Sequence, residues 1–232
     1  MSGARTAGAA RGRATRATAP TRVLLVDDHP IVRQGLRRLI AAEAGLQVCA
    51  EAETEQAARQ AIRDQRPDIV VLDLSLREGD GIELVKDLRA HHPGLPVLVL
   101  SMHDETVYAE RLLAAGANGY IMKHAASEQF VAALRRVLDG GTWVSDAVGA
   151  RLIGKIARGV AAKTASPIDR LSNRELQVLQ MIGRGMSSRQ IAEVVHLSIK
   201  TIETHRQRIK RKLELSTGPQ LSRFAANWVA GR

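Results

Sequence analysis

Residues 68–73, Asp-Ile-Val-Val-Leu-Asp, constrain the fold of this chain more than any other stretch. Four consecutive aliphatic residues, mostly β-branched, follow closely on Pro67 and stop on a carboxylate. A run this short, with no polar alternation, predicts a parallel strand buried on both faces. Asp73 then stands at its carboxyl end. In an open α/β sheet that edge binds ligands, because the loops leaving the strands diverge there and open a crevice. Asp73 is therefore the residue around which the chemistry is expected to gather.

The same grammar continues on both sides. Short apolar runs at residues 23–26, 48–51, 69–72, 97–100 and 119–122 alternate with helical patterns over 54–65, 81–90, 108–115 and 127–138. A further helix follows the first strand, with Ile31, Leu36, Leu39 and Ile40 as its expected buried stripe, and Thr54 is placed to cap the next one. Five βα repeats predict an α/β domain over residues 21–140: a five-stranded, parallel, doubly wound sheet. Gly140 and Gly141 end it. Residues 141–168 read as a linker with a short helix near 147–156, and from Leu171 the pattern is purely helical, predicting a small all-α domain over 169–232.

Composition narrows the function. No apolar run approaches the roughly 18 residues needed to span a bilayer, so no membrane partner is expected. The single Cys49 permits neither an internal disulfide nor a cysteine metal site, which suits a reducing cytoplasm; it is expected to be a buried strand residue. An aromatic content of 3% argues against single-strand nucleic-acid binding by base stacking and leaves duplex DNA open. The net charge of +10 divides unevenly, with +4 on residues 1–20, −4 on 21–140 and +10 on 141–232. A polyanion partner therefore belongs to the C-terminal part. Residues 1–20 hold four Arg and no large aliphatic side chain, and are expected to form a disordered basic tail. Their Arg-rich composition also resembles an organelle transit peptide, but without its amphipathic pattern.

Four predicted strands end in chemically specific residues: Asp27-Asp28, Asp73, Ser101 and Lys123. A parallel sheet brings these ends to one edge. Clustered carboxylates repel, and a hard divalent cation with oxygen ligands, Mg²⁺, is the natural means of keeping them ionised. A phosphoryl group there would have its charge offset by the metal and Lys123, with a hydrogen bond from Ser101, while Asp73 acted as nucleophile to form an acyl phosphate. Each residue alone reads more simply as a turn or cap residue; their joint occurrence at separate strand ends argues otherwise.

The segments VLLVDDHP, IVVLDLSL, VLVLSMHDE and GANGYIMK resemble the signature segments of response-regulator receiver domains, a flavodoxin-like fold. The resemblance implies that Asp73 is the phosphoacceptor, that Asp28, Asp73 and the backbone carbonyl of Ser75 ligate Mg²⁺, and that Asp27 acts through water. It makes Ser101 the switch hydroxyl, Lys123 the phosphate-binding lysine and Tyr120 the aromatic that moves inward when Ser101 engages phosphate. Where many receivers have Met-Pro after the acceptor this chain has Leu76-Arg77, and His124 replaces the proline after the lysine. Met102 and His103 are bulkier than the usual residues after the hydroxyl, and are expected to slow or redirect water at the acyl phosphate.

In the C-terminal part Ser172 and Glu175 have capping-box spacing, and Leu176, Val178, Leu179 and Ile182 form a first stripe. A short helix over 188–195, a turn at His196-Leu197-Ser198 and a longer helix over 199–213 make a helix-turn-helix. Ile202, Ile209 and Leu213 line one face of the longer helix. Lys200, Glu203, Thr204, Gln207 and Arg211 line the other, and five of the seven residues from Arg206 to Lys212 are basic. The segment from Leu171 to Leu213 resembles the helix-turn-helix of the NarL/FixJ/LuxR group. That resemblance implies insertion of the helix carrying Thr201 into the major groove. Glu203, Thr204 and Gln207 would read base edges, and Lys200, Arg208 and Lys212 would contact phosphates. His205 reads equally as core or backbone-facing. Leu221, Phe224, Ala225 and Trp228 mark a last helix that serves homodimerisation in this group, or packs only within its own domain.

The expected function is a cytoplasmic bacterial two-component response regulator. A sensor histidine kinase would phosphorylate Asp73, and the protein would dimerise on double-stranded DNA, with RNA polymerase as a further candidate partner. It is not expected to be an enzyme beyond its own phosphoryl transfer. An aspartate-nucleophile phosphatase would need a second Asp where Ser75 stands. A flavin site would not tolerate the acidic Asp27-Asp28 loop. An orphan regulator that is never phosphorylated is the remaining alternative.

Overall fold

The structure is a computed structural model that describes residues 19–76, 81–157, 167–195 and 197–230. Residues 1–18 of the tail expected over 1–20, Arg77 and the turn residue His196 lie outside the described residues. The first domain alternates β1 (Thr21–Val26), α1 (Pro30–Ala41), β2 (Leu46–Ala52), α2 (Glu55–Gln65), β3 (Ile69–Asp73), α3 (Gly81–His91), β4 (Val97–Ser101), α4 (Glu105–Ala115), β5 (Gly119–Met122) and α5 (Ala126–Leu138). The strands form one sheet in the order β2-β1-β3-β4-β5, with every pairing parallel.

Strand periodicity explains the uninterrupted apolar runs. Leu24, Val26, Val70, Leu72 and Val99 face one cluster, completed by Ala58, Leu84, Val85 and Leu112 of α2, α3 and α4. Their neighbours Val23, Leu25, Ile69, Val71, Leu98 and Leu100 face another, completed by Leu36, Ile40, Phe130 and Leu134 of α1 and α5. Both faces are covered, so neither residue of an alternating pair can be polar. Register then fixes the functional edge. Val26 pairs with Leu72, Asp73 with Leu100 and Ser101 with Met122, so the residues ending β1, β3, β4 and β5 emerge side by side.

Two expectations in this domain need correction. Ile31 is 75% exposed, because five residues separate it from Leu36 and at 100° per residue it points about 140° away from that stripe. The inward position of the first turn is taken by Arg33, which donates to the Asp27 carbonyl and to Glu51 and Glu53. Cys49 lies on the edge strand β2 and is only half-buried.

The stretch read as a linker is largely docked. Trp143 bridges to Gly119 and accepts from the Tyr120 amide at 2.8 Å, covering the free edge of β5. A Cβ at Gly119 would lie 2.8 Å from Leu98 and 3.1 Å from Trp143, which explains the glycine. Helix α6 (Asp146–Ala157) follows and packs on α4, tied by Lys155 to Glu110 at 2.6 Å, Arg151 to the Thr106 carbonyl at 3.0 Å and Ser145 to Glu105 at 2.5 Å.

The second domain comprises α7 (Asn173–Gly183), α8 (Ser188–Val194), α9 (Ile199–Lys212) and α10 (Gly218–Ala230). Ser172 and Glu175 form the expected capping box on α7, and Ser187 with Gln190 forms a second on α8. Ser198 caps α9. Each box satisfies amide donors that the first turn of a helix leaves open.

Candidate functional site

The carboxyl edge of the sheet gathers Asp27, Asp28, Asp73, Ser101 and Lys123. All but Lys123 are buried outright, and its side chain is only 8% exposed. The Lys123 ammonium lies 2.8 Å from Asp73 Oδ2 and 2.7 Å from Asp27 Oδ2, so one cation is shared by two buried carboxylates. Burial raises the Asp73 pKa; Lys123 opposes this and Asp27 adds to it. Burial works against the charged form of Lys123 as well, but the two aspartates outweigh it and its pKa rises. The Ser75 amide donates to Asp73 Oδ1 at 3.1 Å, fixing the loop after β3.

His29 was not anticipated from the sequence. Its Nδ1 lies 2.8 Å from Asp28 Oδ1, 3.1 Å from Asp27 Oδ1 and 3.8 Å from Asp73 Oδ2. Ligand atoms of Asp27, Asp28, His29 and Asp73 all fall within 4.8 Å of one another. Three carboxylates around one point, with a single ammonium beside them, form a donor set that fits a hard divalent cation such as Mg²⁺.

Ser101 and Tyr120 meet through His103. The His103 amide donates to Ser101 Oγ at 3.1 Å, and the Tyr120 hydroxyl donates to the His103 carbonyl at 2.6 Å. Tyr120 is fully buried, so its ring already occupies an inward position. Burial, the largest influence, pushes its phenol pKa well up. Met102 is 67% exposed.

On α9, Lys200, Glu203, Thr204, Gln207, Arg208 and Arg211 are exposed. Thr204 Oγ1 donates to the Lys200 carbonyl, while Glu203 accepts from Ser188. Lys212 departs from the expected phosphate contact: its ammonium lies 2.6 Å from the buried Glu175 carboxylate, inside its own domain. Thr201 and His205 are half-buried and line a cleft of ≈440 Å³ between the domains, facing Leu74, Ser75 and His103. Burial lowers the His205 pKa, with Arg174 adding to the effect. Arg111 of α4 donates to the Leu171 carbonyl, a second tie between the domains.

The expected dimerisation stripe divides. Leu221 and Ala225 are completely buried against α7, so their packing is internal to the domain. Phe224 and Trp228 remain half-buried.

A βα sheet with an acidic, lysine-bearing carboxyl edge, joined to a basic helix-turn-helix, defines a two-domain signalling regulator. Residues 23–135 match the description "Response regulator receiver domain", and residues 169–225 match "Bacterial regulatory proteins, luxR family". The chain is 32% identical over 209 residues to the oxygen regulatory protein NreC of Staphylococcus epidermidis, covering 88% of this chain and 96% of that protein. It is 31% identical over 208 residues to NreC of Staphylococcus carnosus, with the same coverage. Among solved structures it resembles RcsB from Salmonella enterica serovar Typhimurium bound to promoter rprA with phosphomimetic BeF3⁻. That match has 26% identity and a TM-score of 0.55, over 89% of this chain and 98% of that one. It also resembles a LuxR-family two-component response regulator from Aurantimonas, with 35% identity and a TM-score of 0.55, over 60% of this chain and 99% of that one. The chain belongs to the two-component response regulators that join a receiver domain to a LuxR-type DNA-binding domain. Among the described residues no helix is long and apolar enough to cross a membrane.

Proposed function

We propose that Asp73 is the phosphoacceptor of this regulator and that its phosphorylation controls binding of the C-terminal domain to duplex DNA. The observation that carries the reading is the Lys123 ammonium held between Asp73 and Asp27 at the sheet edge. Asp28, Asp73 and the Ser75 carbonyl would hold Mg²⁺, with Asp27 acting through water. The metal supplies charge neutralisation for a phosphoryl group. Asp73 attacks phosphorus, Lys123 offsets the charge on the transferred group, and Ser101 donates to one of its oxygens. A sensor histidine kinase is the expected donor, in the cytoplasm of a bacterium.

On DNA, Glu203, Thr204 and Gln207 would face base edges, and Lys200, Arg208 and Arg211 the phosphates. The protein would act as a homodimer, with Phe224 and Trp228 the available apolar contacts on α10 and RNA polymerase a further partner. Labelling the full chain with radioactive acetyl phosphate and Mg²⁺ tests the phosphoacceptor. Wild type should take up hydroxylamine-labile label and Asp73→Asn none; equal labelling of both would refute the assignment.

A further inference from the structure

We propose that Arg33 is a positioning residue for the metal site: by holding the main chain of Asp27 it keeps the Asp27 and Asp28 carboxylates converged with Asp73, and so sets the affinity for Mg²⁺. The inference rests on the reading of these three aspartates as the Mg²⁺ site. Arg33 stands on the first turn of α1, and only 8% of it is exposed. Its Nη1 donates to the Asp27 carbonyl at 2.5 Å, its Nε to Glu51 Oε2 at 3.0 Å and its Nη2 to Glu53 Oε1 at 2.5 Å.

Strand β1 ends at Val26, so Asp27 is the first residue beyond it. The Asp27 amide still donates to the Ala52 carbonyl at 3.0 Å, and its carbonyl is taken by Arg33. With both main-chain groups held, the side chain leaves in one direction. Its Oδ1 accepts from the His29 amide at 2.8 Å, and its Oδ2 lies 2.7 Å from the Lys123 ammonium. The Asp27 carbonyl belongs to the planar peptide that joins Asp27 to Asp28, so the bond from Arg33 also sets the plane from which Asp28 departs.

Three acceptors lying in different directions call for the planar fork of a guanidinium, whose nitrogens can each serve a separate partner. Burying a charge is costly unless it is paired, and here the pairing also keeps the cation from opposing a metal. Glu51 and Glu53 face the guanidinium, balancing its charge next to the acidic site. The exposed Arg37 adds a longer contact to Glu51 at 3.8 Å.

The test is calorimetric titration of Mg²⁺ into the unphosphorylated full chain, for wild type, Arg33→Met, Arg33→Lys and the double variant Glu51→Gln/Glu53→Gln. The melting temperature of each is recorded without metal. Arg33→Met should bind Mg²⁺ about 10- to 100-fold more weakly, as is usual when a group that orients a metal ligand is removed. Arg33→Lys, whose one ammonium cannot serve all three acceptors, should fall between that variant and wild type. The double variant keeps the bond to the Asp27 carbonyl and should bind Mg²⁺ more tightly than Arg33→Met. A residue that only stabilised the fold would lower the melting temperature and leave the Mg²⁺ affinity of the folded protein unchanged. Wild-type affinity in Arg33→Met, or in Arg33→Lys should the first variant not fold, would therefore overturn the proposal. So would a double variant as weak as Arg33→Met, which would place the effect in the two glutamates. Absence of Mg²⁺ binding by wild type would instead overturn the metal site itself.

Discussion

Lys123 illustrates how much depends on single side chains. It neutralises two carboxylates that the fold has already removed from water, and removing one partner of such a cluster leaves uncompensated buried charge. Lys123→Met should therefore destabilise the protein by about 3 kcal/mol in the absence of metal, on the scale of a broken buried ion pair. Saturating Mg²⁺ should restore part of that loss, which thermal denaturation with and without the ion would measure. His103 gives a pH signature. Its folded pKa of about 4 lies below the free value of 6.5, so between these values the unfolded chain binds the proton more readily. The contribution is complete above pH 6.5 and is lost as pH falls towards 4. His103→Gln should flatten that window of the stability curve. Asp27, Asp28, Asp73, Ser101 and Lys123 were legible because each follows an unmistakable strand. His29 was not, since nothing about one histidine in a loop reports that it folds back over three carboxylates.

At the scale of elements, close packing is decided by small residues. A Cβ at Gly183 would lie 2.5 Å from the Ala225 carbonyl oxygen and 2.6 Å from Val229, so α10 rests directly on the backbone of α7. Gly183→Ala should push the helices apart and cost about 1–3 kcal/mol, the usual range for overpacking. A lowered melting temperature of the C-terminal domain would register it; an unchanged one would mean that α10 is not seated as described. This packing also explains why the sequence left two readings open for Leu221 and Ala225. An apolar stripe states that a face is covered and does not say by what. Capping was more readable, as at Thr54 and Ser172, because the donors and acceptors involved are neighbours along the chain. Ser187 and Gln190 carried the same spacing and could have been found by it. The helix docked on α4 was legible as a helix but not as docked: the pairing of Lys155 with Glu110 joins residues 45 positions apart, and periodicity reports nothing at that range.

In the whole molecule, the two domains touch at the residues that matter to each. The receiver wall of the shared cleft carries Ser75 and His103 from the loops beside Asp73 and Ser101, and the other wall carries Thr201 and His205 from α9. The groove-facing side chains of Glu203, Thr204 and Gln207 stay in solvent. On the proposed function, phosphate would act through the approach of α9 to DNA along its Thr201 flank, or through dimerisation, rather than by uncovering those side chains. The division of charge along the chain anticipated which domain meets the polyanion, whereas the contact between domains could not be read from either motif alone. The most direct test is the affinity of the full-length protein for a duplex fragment that its phosphorylated form selects from genomic DNA. It would be measured at fixed salt, with and without acetyl phosphate and Mg²⁺. Wild type should bind about ten-fold more tightly when phosphorylated, a coupling within the range usual between linked sites, and Asp73→Asn should show no difference. Equal affinity of wild type in the two states would contradict control of DNA binding by phosphate at Asp73.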